Sequence, residues 1–171
     1  MTSVYQYKSP LGWMTMAAEK NALTGLWFEK QKYFGSTLPE DYEERKLDVF
    51  DRTMQWLDLY FLGKIPDFIP PISVKGSEFQ KEVWSILLDI PYGTTRTYGE
   101  IAAEIARKRG IARMSPQAVG GAVGHNPISV IIPCHRVIGA DGSLTGYAGG
   151  IEIKAELLKL EQETIAGIRN Y

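Results

Sequence analysis

The chain is poor in cysteine and histidine. Its 171 residues include one cysteine, Cys134, and two histidines, His125 and His135. A lone thiol cannot close an internal disulfide, and one cysteine with two histidines at no standard spacing makes a poor zinc site. No metal and no cofactor are expected. Apolar runs of membrane-spanning length are missing as well, and the opening Met-Thr-Ser-Val-Tyr-Gln-Tyr-Lys has no apolar core of signal-peptide length. A free thiol without an export signal fits a reducing compartment, so a cytoplasmic location with no membrane partner is expected. Charge of one sign is also lacking: the formal net charge is -1. That excludes a globally polybasic nucleic-acid binder and leaves local patches as the place to look. Neither GxxxxGK[ST] nor GxGxxG follows a strand-like run, which disfavours a phosphate-binding loop.

What is present is an ordinary soluble composition, 44% hydrophobic and 23% charged, in a chain long enough for one domain or two small ones. Residues 4–8, 13–18 and 22–28 are rich in β-branched and aromatic residues and read as strands, with a polar turn at Glu19-Lys20-Asn21. Leu47, Phe50, Met54, Leu57 and Phe61 recur at steps of three and four, which predicts a helix that Gly63 can stop. Phe68-Ile69-Pro70-Pro71 interrupts regular structure and is read as a domain boundary, giving domains 1–70 and 71–171.

The second part opens with two capping boxes, Ser77-Glu78-Phe79-Gln80 and Thr97-Tyr98-Gly99-Glu100, each predicting a helix start. Asp89 and Gly110 mark the expected ends. Ser115-Pro116 supplies an N-cap and an N1 proline for a third helix holding Ala118, Gly120, Gly121, Ala122 and Gly124. Two short helices joined by a tight connection resemble a helix-turn-helix, although an ordinary helical hairpin has the same pattern. Between residues 96 and 113, Arg96, Arg107, Lys108, Arg109 and Arg113 face only Glu100 and Glu104, a local excess of three positive charges. Such a patch can meet a phosphate backbone; a solvated helix face reads the same way. A strand is expected over 129–132, then the turn bearing Cys134, a glycine-rich loop over 139–150, and a last helix over 151–164 that packs Leu157, Leu158 and Leu160 and displays Glu161. The fold class is thus α/β: a small antiparallel-sheet domain, then a mainly helical domain with a helix-turn-helix.

Cys134 sits in Ile-Ile-Pro-Cys-His-Arg-Val-Ile. Pro133 has no N–H and ends any strand ladder there. His135 and Arg136 would depress the thiol pKa and favour the nucleophilic thiolate. A packed core cysteine is the bland alternative. Two other readings stay open on these residues: a Cys-His hydrolase, and a DNA-binding regulator without catalysis.

Pro133-Cys134-His135-Arg136, together with Ala118-Val119-Gly120-Gly121-Ala122-Val123, Asn126-Pro127, Gly142-Ser143-Leu144, Tyr147-Ala148-Gly149-Gly150, Lys154 and Glu161, resembles the O6-alkylguanine-DNA alkyltransferase family with ordered spacing over about ninety residues at the C-terminal end. The resemblance implies a ribonuclease H-like first domain and direct repair of double-stranded DNA containing O6-alkylguanine, with O4-alkylthymine as a second candidate lesion. The alkyl group would pass irreversibly to Cys134, by a monomer used once. It implies that His135 acts as base through a bridging water, that Glu161 orients the imidazole, that Tyr98 donates a proton to guanine, and that Asn126 braces the turn. Val137, Tyr147 and Ala148 would line the base pocket. Ser115, Gln117, Ala118, Gly121, Ala122, Arg96 and Arg113 would meet DNA. Gln117 stands where many members carry the arginine that replaces the flipped nucleotide. Ala148 stands where a serine is common.

Overall fold

The structure, a computed structural model, describes residues 1–144, 147 and 150–169. Three strands open it: β1 (Thr2–Ser9), β2 (Gly12–Glu19) and β3 (Ala22–Phe28). Lys20 and Asn21 both take positive φ, 50° and 61°, the two-residue hairpin geometry that matches strand twist. The pairing is antiparallel from β1 to β2, with Tyr5 opposite Met16, and from β2 to β3, with a bulge at Ala17/Ala18. The sheet is mixed rather than purely antiparallel. A short β4 (Tyr42–Glu44) pairs parallel to β1 and gives the order β3-β2-β1-β4. Three exposed or half-exposed polar residues carry no alternation that a sequence could announce.

Helix α1 (Asp48–Phe61) lies on one face of this sheet. Its buried face carries Val49, Phe50, Thr53, Trp56, Leu57 and Tyr60. Gly63 follows with φ 77°, so the expected stop is where the chain turns. The edge of β3 is covered by the second half of the chain. Leu23 donates to Pro71 O at 2.7 Å, and Leu26 donates to Pro127 O at 2.8 Å. Covering an edge in this way removes a free ladder of backbone groups.

The second half holds α2 (Glu78–Leu88), β5 (Arg96–Thr97), α3 (Tyr98–Arg109), α4 (Pro116–Gly124), a 3-10 turn (Cys134–Arg136), β6 (Val137–Ile138) and α5 (Ile151–Arg169). Both capping boxes form in full, and Ser115 accepts from Ala118 N at the start of α4. Gly110 takes the left-handed conformation that ends α3. One continuous core joins Met14, Leu26 and Phe50 of the first half to Trp84, Ile101, Val119, Ile128 and Leu157 of the second. Among the described residues no helix is long and apolar enough to cross a membrane.

Two expectations need correction. Residues 129–132 form no strand. Val130 has φ 70° inside a tight turn in which Ile131 N reaches Ser129 O at 2.8 Å. A β-branched residue there is strained, and the turn replaces any sheet ladder beyond the single bridge of Ile128 to Leu26. The last helix runs to Arg169, and Glu161 is not displayed: it is fully buried.

Candidate active site

The 3-10 turn puts Cys134, His135 and Arg136 on consecutive buried positions. Cys134 N donates to Ile132 O at 2.8 Å across Pro133, an inverse γ-turn. Asn126 holds the approach to this turn. Its Nδ2 donates to Ile132 O at 2.8 Å and Ile128 O at 3.3 Å, while its Oδ1 accepts from Ile128 N at 3.0 Å. The three contacts fold residues 126–132 into a compact loop that a backbone ladder does not support.

Glu161 arrives from α5 and becomes the centre of the site. Its Oε1 accepts from Arg136 Nε at 2.8 Å and Gly93 N at 3.0 Å. Its Oε2 accepts from His135 Nε2 at 2.5 Å, Tyr60 Oη at 2.7 Å and Arg136 Nη2 at 3.2 Å. Arg136 is anchored further by Nη1 to Ile90 O at 2.8 Å. Gly93 is a required glycine: it has φ 78°, and a Cβ would lie 2.5 Å from the Ile165 side chain.

Burial alone would raise the Glu161 carboxyl, but the hydrogen bonds of His135 and Arg136, the Arg136 charge and, once that ring is protonated in acid, the His135 charge hold it down at about 2. For His135, burial pushes the pKa down and outweighs the upward pull of Glu161. The resting imidazole is therefore neutral. An ionised Glu161 can only accept, so the tautomer follows: the proton is on Nε2, directed at Glu161. Among the described residues, buried Nδ1 has no hydrogen-bond partner, and it carries a lone pair.

The thiol departs from expectation. Burial pushes the Cys134 pKa up, and the Asn126 side chain, the Lys154 charge and nearby backbone N–H groups pull it back only in part. A depressed pKa was expected from His135 and Arg136. The imidazole is neutral and the guanidinium is committed to Glu161, so neither supplies that field.

Tyr98 and Tyr147 flank the thiol; burial first, and then the charge of a Cys134 thiolate, raises both phenols. Val137 is fully buried and gives its carbonyl to Lys154 Nζ. Lys154 is buried on α5, and burial lowers its pKa to about 8. Ala148 lies outside the described residues. A cleft of roughly 350 Å³ reaches Tyr147 from solvent, between Gly120 and Gly124 of α4 and Lys32, Tyr33 and His125. Tyr33 stacks on His125 with ring centroids 3.9 Å apart and closes its outer side.

On α4 the exposed face presents Gln117, Ala118 and Gly121, next to exposed Ser115 and Arg113. A Cβ at Gly121 would meet nothing within 4 Å, so the fold itself does not demand glycine there. Ala122 is on the other side. It is buried, and its carbonyl accepts Trp84 Nε1 at 2.8 Å, which removes it from the exposed face. The basic patch is partly neutralised. Arg96 and Lys108 pair with Glu104 at 3.0 and 3.1 Å, and Arg109 pairs with Glu82.

Tyr60, Lys154 and Gly93 were not legible as contributors, and Glu161 was expected only through the family resemblance. Tyr60 belongs to the stripe 49–53–56–60, which the more apolar stripe 47–50–54–57–61 conceals. Lys154 and Glu161 flank Leu157 at steps of three and four, and charges inside an apolar stripe were the available signal. Gly93 looked like a plain turn residue.

Comparison with known proteins agrees in both halves. Residues 78–163 match the family described as 6-O-methylguanine DNA methyltransferase, DNA binding domain, and residues 4–74 match 6-O-methylguanine DNA methyltransferase, ribonuclease-like domain. A methylated-DNA–protein-cysteine methyltransferase of Methanosarcina barkeri is 45% identical over 158 residues, covering 92% of this chain and 96% of that protein. One from Haemophilus influenzae is 39% identical, covering 95% and 88%. The crystal structure of Mycobacterium tuberculosis OGT in complex with DNA superposes with a TM-score of 0.82 at 40% identity, covering 95% of this chain and 94% of that one.

Two measurements follow from the charge arrangement. The Glu161 carboxyl is held below its ordinary value of 4.5, so its contribution to stability is present above pH 4.5 and is lost as pH falls toward 2. His135, held below 6.5, acts in the same direction, because the unfolded chain takes up its proton first. Thermal unfolding should therefore move to lower temperature as pH drops below 6.5, and Glu161→Gln should flatten the part between 4.5 and 2. That variant should also cost about 3–5 kcal/mol at neutral pH, because Arg136 is left buried without its partner. Second, a buried neutral thiol should react slowly with iodoacetamide at pH 7 in the native state and quickly in denaturant. Fast native labelling would show a standing thiolate.

Proposed function

We infer the activity from one premise: the chain belongs to the 6-O-methylguanine DNA methyltransferase family. It is an enzyme of DNA repair by direct damage reversal, moving a methyl or alkyl group from O6-alkylguanine in DNA to a cysteine of its own chain. The single observation that carries the reading to particular residues is the imidazole beside the sole cysteine, with Nε2–H on Glu161 and a free lone pair on Nδ1.

In the proposed reaction, Nδ1 of His135 takes the Cys134 proton through a bridging water. The sulfur attacks the sp3 alkyl carbon in line with the O6–C bond. That bond breaks as the C–S bond forms, and its electron pair goes to the guanine. Tyr98 offsets the developing charge by giving a proton to the ring, and the proton held on His135 then restores the phenol through water, so that the net change is one alkyl group to sulfur and the Cys134 proton to guanine. Glu161 holds the imidazolium while it exists. Asn126 fixes the turn, and Val137 and Tyr147 line the pocket. A thiol held neutral by burial suits this scheme, because charge appears only when a substrate is there to consume it.

An alkyl carbon inside duplex DNA is out of reach of any thiol, so the nucleotide must leave the stack, at a cost of a few kcal/mol. The exposed face of α4, with Ser115, Gln117, Ala118 and Gly121, is the proposed DNA contact, with Arg113 and Arg96 on phosphates. Gln117 fills the gap left by the extruded nucleotide. We take 1–70 and 71–171 as the two domains. A cytoplasmic location fits a chain that must keep its one thiol reduced.

The test is stoichiometric. A thioether offers no thiolate leaving group of the kind that makes disulfides reversible. One mole of protein should therefore remove at most one mole of O6-methylguanine. Mass spectrometry should find one added methylene unit on the peptide bearing Pro133-Cys134-His135-Arg136. Repair in excess of protein, with Cys134 left free, would make this a hydrolase. For extrusion, Gln117→Ala should slow repair of duplex DNA by several-fold more than reaction with free O6-benzylguanine. Equal slowing would remove Gln117 from that role.

A further inference from the structure

We propose that Tyr60, carried by α1 from the first half of the chain, is a positioning residue for alkyl transfer: its hydroxyl sets how strongly Glu161 holds His135. This rests on the reading of His135 as the base. Tyr60 is fully buried, and its Oη donates to Glu161 Oε2 at 2.7 Å. His135 Nε2 uses the same oxygen at 2.5 Å and lies 3.5 Å from the Tyr60 oxygen. With Arg136 Nη2 at 3.2 Å, three donors therefore share one carboxylate oxygen, and Tyr60 and His135 hold the two short contacts. The phenol is held there by its surroundings: Trp56 stacks on it at 5.4 Å, and Phe61 and Tyr92 meet it edge-on at 5.3 and 6.0 Å.

A buried tyrosine that has simply found an acceptor is the ordinary explanation for one hydrogen bond. The identity of the acceptor argues for more. Each donor given to a carboxylate disperses its charge and weakens its pull on the others. Tyr60 thus draws Glu161 away from the imidazole and keeps Nδ1 less basic than a lone Glu-His pair would make it. That setting matters in a site whose base must take a proton from a thiol and later give it up. The groups that face the pair are Tyr60 from α1, Tyr92 and the Gly93 N–H from the turn after α2, Arg136 from the 3-10 turn, and Lys154 from α5. Lys154 titrates near 8, on the alkaline side of the window in question.

Two replacements in the full chain separate tuning from packing. Tyr60→Phe keeps the ring and removes the donor. The acid limb of the pH–rate profile should then move upward by about 0.5 unit or more, a roughly threefold gain in proton affinity at His135. Site-specific 3-fluorotyrosine at position 60 is a stronger donor of nearly the same shape and should move the limb downward. Both shifts should be the same on free O6-benzylguanine and on methylated duplex, because Tyr60 lies away from the exposed face of α4. Opposite shifts support the proposal. A limb that stays in place in the fluorotyrosine protein, or shifts of the same sign in both, overturn it whatever happens to the unfolding temperature. A wild-type protein that transfers no alkyl group would fail the proposed function instead, so the two failures are distinct.

Discussion

The structure turns on one buried carboxylate. Glu161 accepts five hydrogen bonds from four residues in three well-separated segments: Tyr60, Gly93, and the neighbours His135 and Arg136. A carboxylate taken out of water without such partners would be protonated instead of ionised. Here the partners hold it ionised, and its charge in turn fixes the turn that bears Cys134. The same interaction thus joins α1, the loop after α2, the 3-10 turn and α5, and it also decides which nitrogen of His135 is free. Stability and chemistry share this group. Changing it disturbs both, which is why a rate measured on a Glu161 variant has to be read beside an unfolding curve.

The electrostatics of the thiol follow from that centre. Arg136 carries the full positive charge nearest to Cys134 in sequence, but its fork is occupied by Glu161 and its remaining amine by Ile90 O. His135 is neutral in the resting site. Lys154 is the cation whose field reaches the sulfur, and its own burial weakens its hold on a proton. Burial therefore wins, and the cysteine rests as a thiol. Adjacency in sequence was a poor guide here because a 3-10 turn sends successive side chains in different directions.

Much of the architecture was legible because local chemistry dictated it. The two capping boxes, the Ser115-Pro116 start, the Gly110 end and the Lys20-Asn21 hairpin each satisfy backbone groups that a helix or turn leaves open. The strand expected at 129–132 failed for the complementary reason. A β-branched run looks like a strand, but the groups that satisfy its backbone are the side chain of Asn126 and its own tight turns. The parallel β4 is three residues with no pattern. Of the site, Cys134 and His135 stand out in any reading, whereas Glu161 on a terminal helix reads as solvated surface from its residues alone and was brought to the site only by the family resemblance.

The exposed face of α4 poses a question of strength. Three of the five basic residues around it are tied to Glu104 or Glu82, so the patch offers less free charge than its sequence promised. Exposed pairs of this kind contribute only about 0–1 kcal/mol, and a phosphate oxygen can take the place of a carboxylate at little cost. Arg96 is the costlier one to move, being half-buried and also held by the Glu100 carbonyl. With few phosphate contacts, long-range attraction to DNA is modest, and grip must come from fit. Gly121 is bare toward solvent, and a Cβ added at Gly120 would only just reach ordinary contact with the Tyr98 ring. A helix without bulk on that face brings its backbone close to whatever docks there, and places Gln117 at its leading end. Close approach, rather than charge, is then the property by which this surface would recognise a duplex.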